Sequence, residues 1–390
     1  MSYIFTGAAH QRTLFEATNP IGDRKICFGL AHLTPPCKKH RWAEFPCQTR
    51  SAKRIAAAIL NIPSSVLPSI RQPNDMTGKE RILKTIQFQE PDRPPHFEAM
   101  FELEREAFGL QFPHRDSWAT MSSPEKERAI QSCMDIYERI IETYEWDALS
   151  VYWPWGDPDG VRAAKRRFGD EILVGGFVGS GVWSIEHIDD WDRFALDAME
   201  HPEAMHAGAE TMCQNAIEKI EELIDAGADF IYMPNDIAFN AGPYISPTQM
   251  DEYIFPYWRR QVDRVKELGA IAFIHTDGEI MPILDSIVSL EAHVLQSIDP
   301  MAGVDIAEVK RKTYGKLALM GNVQCNLLQE GPDEAIKTSA LYCLNHGAPG
   351  GGYIYGTSNT IFPGMPLKNY HLMLSVFREW ANARPGGAQA

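Results

Sequence analysis

Short apolar runs alternate with helical stretches eight times from residue 95 onward, and this alternation restricts the fold more than any other feature. The runs occupy residues 95–100, 147–153, 172–179, 229–235, 271–275, 292–298, 317–321 and 352–356. Near-continuous apolar runs are what strands buried on both faces require, so they predict a parallel sheet. Helical spacing fills the gaps. Residues 124–144 place Ile130, Met134, Tyr137 and Ile141 on one face, and residues 202–226, 247–268 (behind a Ser246 cap), 305–314 and 332–344 follow. Shorter helices are expected near 161–168 and 279–290. Gly227, Gly269 and Gly315 stand where helix C-terminal glycines belong. Eight alternations predict an α/β fold of the (β/α)8 TIM-barrel type. A doubly wound open sheet is the alternative, but it would bring a Gly-rich phosphate turn after its first strand, and the sequence has none there.

The first 75 residues do not share this pattern. They carry ten Lys/Arg and four Asp/Glu, about +6, whereas the remainder carries −21. They also hold three of the seven cysteines and the turn-rich stretches Thr34-Pro35-Pro36 and Asn61-Ile62-Pro63-Ser64. Such a segment cannot bury a core of its own. Residues 1–75 are therefore expected to be a poorly ordered N-terminal extension, or a transit or accessory region. The barrel domain is expected over 76–390, opening on Thr77 as helix cap with Glu80 three residues on.

The net charge of −15 disfavours nucleic acid or an anionic membrane as partner, because both attract basic patches. No apolar run approaches the roughly 20 residues that span a bilayer, and the opening residues lack a secretory pattern. The cysteines are scattered, with no Cys-x-x-Cys pair. These features predict reduced thiols in the cytoplasm.

In a barrel of this kind chemistry sits at the carboxyl ends of the strands. Those ends carry Glu98, Trp153, Asn235 with Asp236, His275 with Asp277, Asp299, Asn322 with Gln324, and Ser358 with Asn359. The sharpest segment is Phe273-Ile274-His275-Thr276-Asp277-Gly278. Gly278 permits a tight turn straight after the strand, and His275 and Asp277, two apart on an extended end, face one side. They could serve as metal ligands, or as a base with its orienting carboxylate; a structural hydrogen bond is the plainer reading of His275. His96 faces with Glu98 on the first strand and is a further candidate. Trp153-Pro154-Trp155-Gly156 could wall a pocket for a planar ligand, or simply pack. Gly350-Gly351-Gly352 could cradle an anion, although a plain turn is the simpler reading.

These residues also carry a family resemblance. Met76-Thr77-Gly78-Lys79-Glu80-Arg81, followed by Pro91-Asp92-Arg93-Pro94-Pro95, resembles the opening of the uroporphyrinogen decarboxylase superfamily. Ile245-Ser246-Pro247 leading to Pro256-Tyr257, then His275-Thr276-Asp277-Gly278, Met320-Gly321-Asn322-Val323, Gly351-Gly352-Tyr353-Ile354 and Pro366-Leu367-Lys368-Asn369, extend the likeness to about residue 382. The resemblance implies one of two chemistries: cofactor-free decarboxylation of uroporphyrinogen, or methyl transfer between a corrinoid and an acceptor, commonly with zinc.

The decarboxylase pattern has an arginine-rich loop where this chain reads Glu98-Ala99-Met100-Phe101-Glu102-Leu103. It has a catalytic aspartate where this chain has Ser150-Val151-Tyr152-Trp153, and Gly-His-Gly where it has Thr357-Ser358-Asn359. The thiol-methylating pattern ligates zinc through His-x-Cys and a later Cys; the matching positions here are His275, Asp277 and Ser358. The resemblance is closest to methyltransferase-like members with His-Thr/Ser-Asp-Gly. It implies a corrinoid-linked methyltransferase or demethylase of a small methylated substrate. Glu98, His275 and Asp277 would be the catalytic or zinc-ligating set, and Asp236, Asn322, Ser358 and Trp153 would contact substrate. A corrinoid protein is the implied partner and a homodimer the implied assembly. The alternatives are uroporphyrinogen decarboxylase itself, in porphyrin biosynthesis, and a tetrapyrrole- or corrinoid-binding protein without chemistry.

Overall fold

The computed structural model describes residues 76–154 and 156–384. The expected N-terminal extension lies outside the described residues.

Seven parallel strands form one sheet: β1 Ala148–Val151, β2 Leu173–Phe177, β3 Phe230–Pro234, β6 Ile271–His275, β7 Val294–Gln296, β8 Ala318–Val323 and β9 Tyr353–Thr357, in that spatial order. Two two-residue strands, β4 Ala238–Phe239 and β5 Gly242–Pro243, form a small antiparallel hairpin after β3. Every strand expected between residues 147 and 356 is present, and all but the last residue of β3 are buried. Full burial on both faces is the reason they read as unbroken apolar runs.

The expected first strand is an extended segment rather than a regular strand, and it completes the ring. On one side Tyr355 N–H of β9 donates to Pro95 O at 2.8 Å; on the other Asp147 N–H donates to His96 O at 2.8 Å. Further along, Ile361 N–H donates to Met100 O, and side chains stand in for part of the ladder. His96 N–H donates to Asp147 Oδ2, and Thr357 N–H donates to Glu98 Oε2. Pro94 and Pro95 have no N–H to offer. The barrel is thus closed by a segment bonded partly through carboxylates, one from Asp147 and one its own.

Helices cover the outside. Thr77 and Glu80 make the expected capping box on the helix Gly78–Ile86, and Ser246 with Gln249 makes another on Pro247–Tyr253. The helix expected over 247–268 is two helices, Pro247–Tyr253 and Phe255–Glu267, broken at Ile254. Pro256 explains the break, because it cannot donate to the preceding turn. Gly227, Gly269 and Gly315 adopt the expected left-handed conformation. The helix Leu367–Asn382, which the sequence reading did not mark, packs its Phe377 flat on Tyr355 at 4.8 Å.

Phe97, Phe230 and Phe273 meet with ring centroids 4.7–6.0 Å apart. Gly175 makes room for them, since a Cβ there would lie 2.4 Å from the Phe230 ring. The triple glycine turn has positive φ throughout and precedes β9, at the end of the strands away from Asp277. Its Gly350 N–H donates to Glu90, and Lys310 donates to Gly351 O. This is the plain-turn reading. Among the described residues no helix is long and apolar enough to cross a membrane. Cys133, Cys213, Cys325 and Cys343 are buried free thiols.

Candidate active site

The loops after β3 and β6 are bonded to each other just beyond the sheet. Asn235 N–H donates to His275 O at 3.0 Å, Ile237 N–H to Thr276 Oγ1 at 3.1 Å, and Asp277 N–H to Asp236 Oδ1 at 3.1 Å. Gly278, with φ +92°, passes so close to the β4 hairpin that a Cβ would lie 2.4 Å from Ala238 O. The sharp turn expected there is therefore a steric requirement.

These bonds bring Asp236, His275 and Asp277 together. One ligand atom from each falls within 4.8 Å of the others, and among the described residues this is the group that could hold a metal ion. His275 Nε2 lies 3.5 Å from Asp236 Oδ1 and 3.8 Å from Asp277 Oδ1. Both separations exceed a normal hydrogen bond of about 2.7–3.2 Å. Ligand atoms sitting 2.0–2.1 Å from a tetrahedral metal are about 3.4 Å apart, close to what is found. His275 keeps 5% side-chain exposure while Asp236 and Asp277 keep 18% and 28%, so what exposure the group has lies on the carboxylate side.

The electrostatics are those of a crowded acidic pocket. Burial favours a neutral His275, but attraction to Asp277 and Asp236 outweighs it and pushes the imidazolium pKa up to about 9. Burial, together with repulsion from Asp236 and Asp299, pushes Asp277 up to about 7 against the pull of His275. Burial also works against Asp236, yet attraction to His275 and the Asp277 N–H it accepts hold it below the usual carboxylate range. Asp299, which caps Met301 N–H and accepts from Gly278 N–H at 3.3 Å, is raised by burial. Glu186, on the loop after β2, is raised by burial and by Asp236. The loop is tied to the site by Ile185 N–H donating to Asp236 O.

The sequence-derived set is only partly brought together. His275 and Asp277 converge as expected, and Asp236, expected to orient substrate, joins them. Glu98 is not in the group. Its Oε2 accepts from Thr357 N–H at 3.0 Å and Thr357 Oγ1–H at 2.7 Å, and burial pushes its pKa up to about 8. It serves barrel closure in place of a main-chain acceptor. His96, likewise, is buried and bonded to Tyr355 O and Tyr370 Oη, and burial lowers its pKa to about 4. Asn322 is occupied on both ends of its amide, donating to Ile298 O at 2.6 Å and accepting from the Cys343 thiol at 3.2 Å. Ser358 accepts from Cys325 N–H at the start of the helix Cys325–Glu330. Trp153 packs edge-on against Trp118 at 5.2 Å, the packing alternative.

Gln296 and Tyr232, not singled out from the sequence, and Asn359, named there only at its strand end, complete the site. Gln296 bonds His275 Nδ1, Tyr232 Oη–H donates to Gln296 Oε1 at 2.6 Å, and Asn359 Nδ2–H donates to Asp277 Oδ2. Gln296 was visible as a polar residue inside an apolar strand run, a signal that deserved weight. Tyr232 packs at a tilt against Phe177, ring centroids 4.8 Å apart, and Phe177 lines a cleft of about 430 Å³ with Gly179, Ser180, His187 and Lys219. A cavity of about 810 Å³ lies at the opposite end of the barrel. Its Arg81 and Arg93 pair with Asp147 of the closure network, so it is not read as the site of chemistry.

Residues 158–380 match the family model for uroporphyrinogen decarboxylase (URO-D). A uroporphyrinogen decarboxylase of Anaeromyxobacter sp. (strain Fw109-5) is 28% identical over 244 residues, which is 60% of this chain and 68% of that protein. One from Anaeromyxobacter dehalogenans is 28% identical over 57% of this chain and 64% of its own length. The chain thus spans about two thirds of the relatives it matches. A methyltransferase from Methanosarcina mazei shares the fold with a TM-score of 0.62, at 14% identity, over 78% of this chain and 99% of that one.

Proposed function

This chain belongs to the uroporphyrinogen decarboxylase (URO-D) superfamily, and within it we propose that it is a methyltransferase-like enzyme that demethylates a small O- or N-methylated substrate, with a corrinoid on a partner protein as methyl carrier. The observation that carries this reading is the convergence of His275 Nε2, Asp236 Oδ1 and Asp277 Oδ1 at separations suited to a metal. The donor set fits. Asp277 Oδ1 is buried without a hydrogen-bond partner, a cost that a bound cation removes. The set has one nitrogen and two carboxylate oxygens and no thiolate, which zinc accepts in catalytic sites.

Asp236, His275 and Asp277 would hold zinc. Bound there, it would supply Lewis-acid polarisation of the methyl-bearing heteroatom. The chain's own groups supply the rest. Glu186, raised by burial and by Asp236 and outside the ligand set, can give a proton to the demethylated heteroatom. Tyr232 packs between Phe177 and the His275 ring and walls the site on the β3 side. The charges acting on the site are acids and His275. Such a field suits a neutral or cationic substrate and repels an octacarboxylate. That argues against uroporphyrinogen, the substrate in the names of the 28% identical relatives.

The test starts with metal analysis of the purified full-length protein beside His275→Ala. One zinc per chain, lost in the variant, followed by cob(I)alamin-dependent demethylation of methylated phenols or amines, is the expected result. Turnover of uroporphyrinogen without metal would replace this reading by the decarboxylase one.

A further inference from the structure

His275 and Gln296 are direct partners in the β6–β7 register, so their side chains leave the sheet side by side. The Gln296 amide is fully buried and uses both ends. Its Nε2 donates to Asn359 O at 3.1 Å and Thr357 O at 3.4 Å. Its Oε1 accepts from Tyr232 Oη at 2.6 Å and faces His275 Nδ1. The amide cannot be reversed, because a flipped oxygen would confront two carbonyl oxygens that only accept. Oε1 also only accepts, so His275 Nδ1 must carry a hydrogen, and Nε2 is the nitrogen turned toward Asp236 and Asp277.

The same segment handles Asp277. Asn359 O accepts from Gln296, and Asn359 Nδ2 donates to Asp277 Oδ2. That leaves Asp277 Oδ1, the oxygen with no partner, on the His275 side. Neutral amides therefore occupy the rear atoms of both residues and present the front atoms.

We propose that Gln296 is a positioning residue that keeps a hydrogen on His275 Nδ1 whether the ring is charged or neutral, so that the ring gives up its Nε2 proton and offers that nitrogen alone to a metal, with Asn359 turning Asp277 Oδ1 to the same point. Partners of this kind orient a ligand and commonly change metal affinity 10–100-fold when lost. The lock itself is independent of the metal; only its consequence for affinity rests on the zinc reading.

The experiment is zinc titration by chelator competition of the full chain, wild type beside Gln296→Leu and Gln296→Glu, with nitrogen-15 NMR of histidine-labelled protein. Gln296→Leu is expected to weaken zinc 10–100-fold, and Gln296→Glu, which keeps an acceptor for Nδ1 but can offer the Asn359 and Thr357 carbonyls a donor only when protonated, to recover part of it. In zinc-loaded wild type the His275 Nδ1 proton should persist while the Nε2 resonance moves. Zinc on Nδ1, or equal affinity in all three proteins, overturns the proposal. If wild type binds no zinc, the metal reading fails and the metal-free spectrum decides the lock. An exchange-protected Nδ1 proton that vanishes in Gln296→Leu upholds it, and an unprotected one in wild type overturns it. The wild-type spectra suffice if a variant does not fold.

Discussion

His275 Nε2 and Asp236 Oδ1 stand 3.5 Å apart at the ends of adjacent strands, with Asp236 Oδ1 also accepting the Asp277 N–H. Asp236 is thus both a charge partner for the ring and an anchor for the loop that carries Asp277. Replacing it should be worse for metal binding than replacing Asp277, which anchors nothing comparable. Asp236→Asn is expected to weaken zinc by more than about 100-fold, beyond the 10–100-fold usual for an outer partner. Asp277→Asn should fall short of that loss. Chelator competition on the two variants checks the order; a smaller loss in Asp236→Asn would mean that Asp236 is not a ligand.

The pKa shifts set the pH dependence of the same measurement. A metal must displace the proton on His275, whose pKa is pushed up to about 9, and below about 7 it must also displace one from Asp277. Affinity should therefore rise with pH, about tenfold per unit between 7 and 9, and more steeply below 7. Zinc competition from pH 6 to 9 tests this. A flat profile would show that neither proton is displaced.

Glu98 allows a stability test away from the site. Burial raises its carboxyl from the ordinary 4.5 to about 8. A raised acid pKa means that the native state keeps a proton the unfolded chain releases above about 4.5, so stability falls as pH rises through 8. Glu98→Gln has no proton to release and can still accept from Thr357. The variant should gain on wild type by up to about 1.4 kcal/mol per pH unit between about 4.5 and 8. Urea unfolding at pH 5 and pH 8 measures the difference. An equal difference at the two pH values would mean that Glu98 is already ionised in the fold.

Much of this barrel was legible because burial on both faces writes itself into sequence as apolar runs. The seven strands from residue 147 onward and the caps at Thr77 and Ser246 all follow from such local signals. The closing segment at His96 was harder. It is held in part by the Asp147 carboxylate and by its own Glu98 carboxylate bonding Thr357, and a side chain standing in for a carbonyl leaves no periodic trace. The site divides the same way. His275 and Asp277 stood out through spacing and Gly278. The grouping of Asp236 with them depends on the β3–β6 register, and the roles of Gln296 and Asn359 depend on β7 and β9, which meet only in the fold.

The closing segment also gives the sharpest stability prediction. Asp147 is buried at 3% side-chain exposure and receives Arg81 Nη1 at 3.0 Å and Arg93 Nη1 at 2.6 Å. It also accepts the His96 N–H at 2.8 Å, a bond that in a regular strand would go to the main chain. Asp147→Asn keeps the shape and one acceptor but removes the charge. Arg81 retains Asp92, whereas Arg93 is left facing a neutral amide in a mostly buried place. Breaking a buried ion pair from one side typically costs 3–5 kcal/mol. The variant should lose about that much in urea unfolding while its zinc affinity, set at the other end of the barrel, stays within about twofold of wild type. Arg93→Met in the same background should restore part of the loss, because the orphaned charge goes with it. If Asp147→Asn costs under about 1 kcal/mol, the carboxylate does not carry the closure and the ring is held by its main-chain bonds alone.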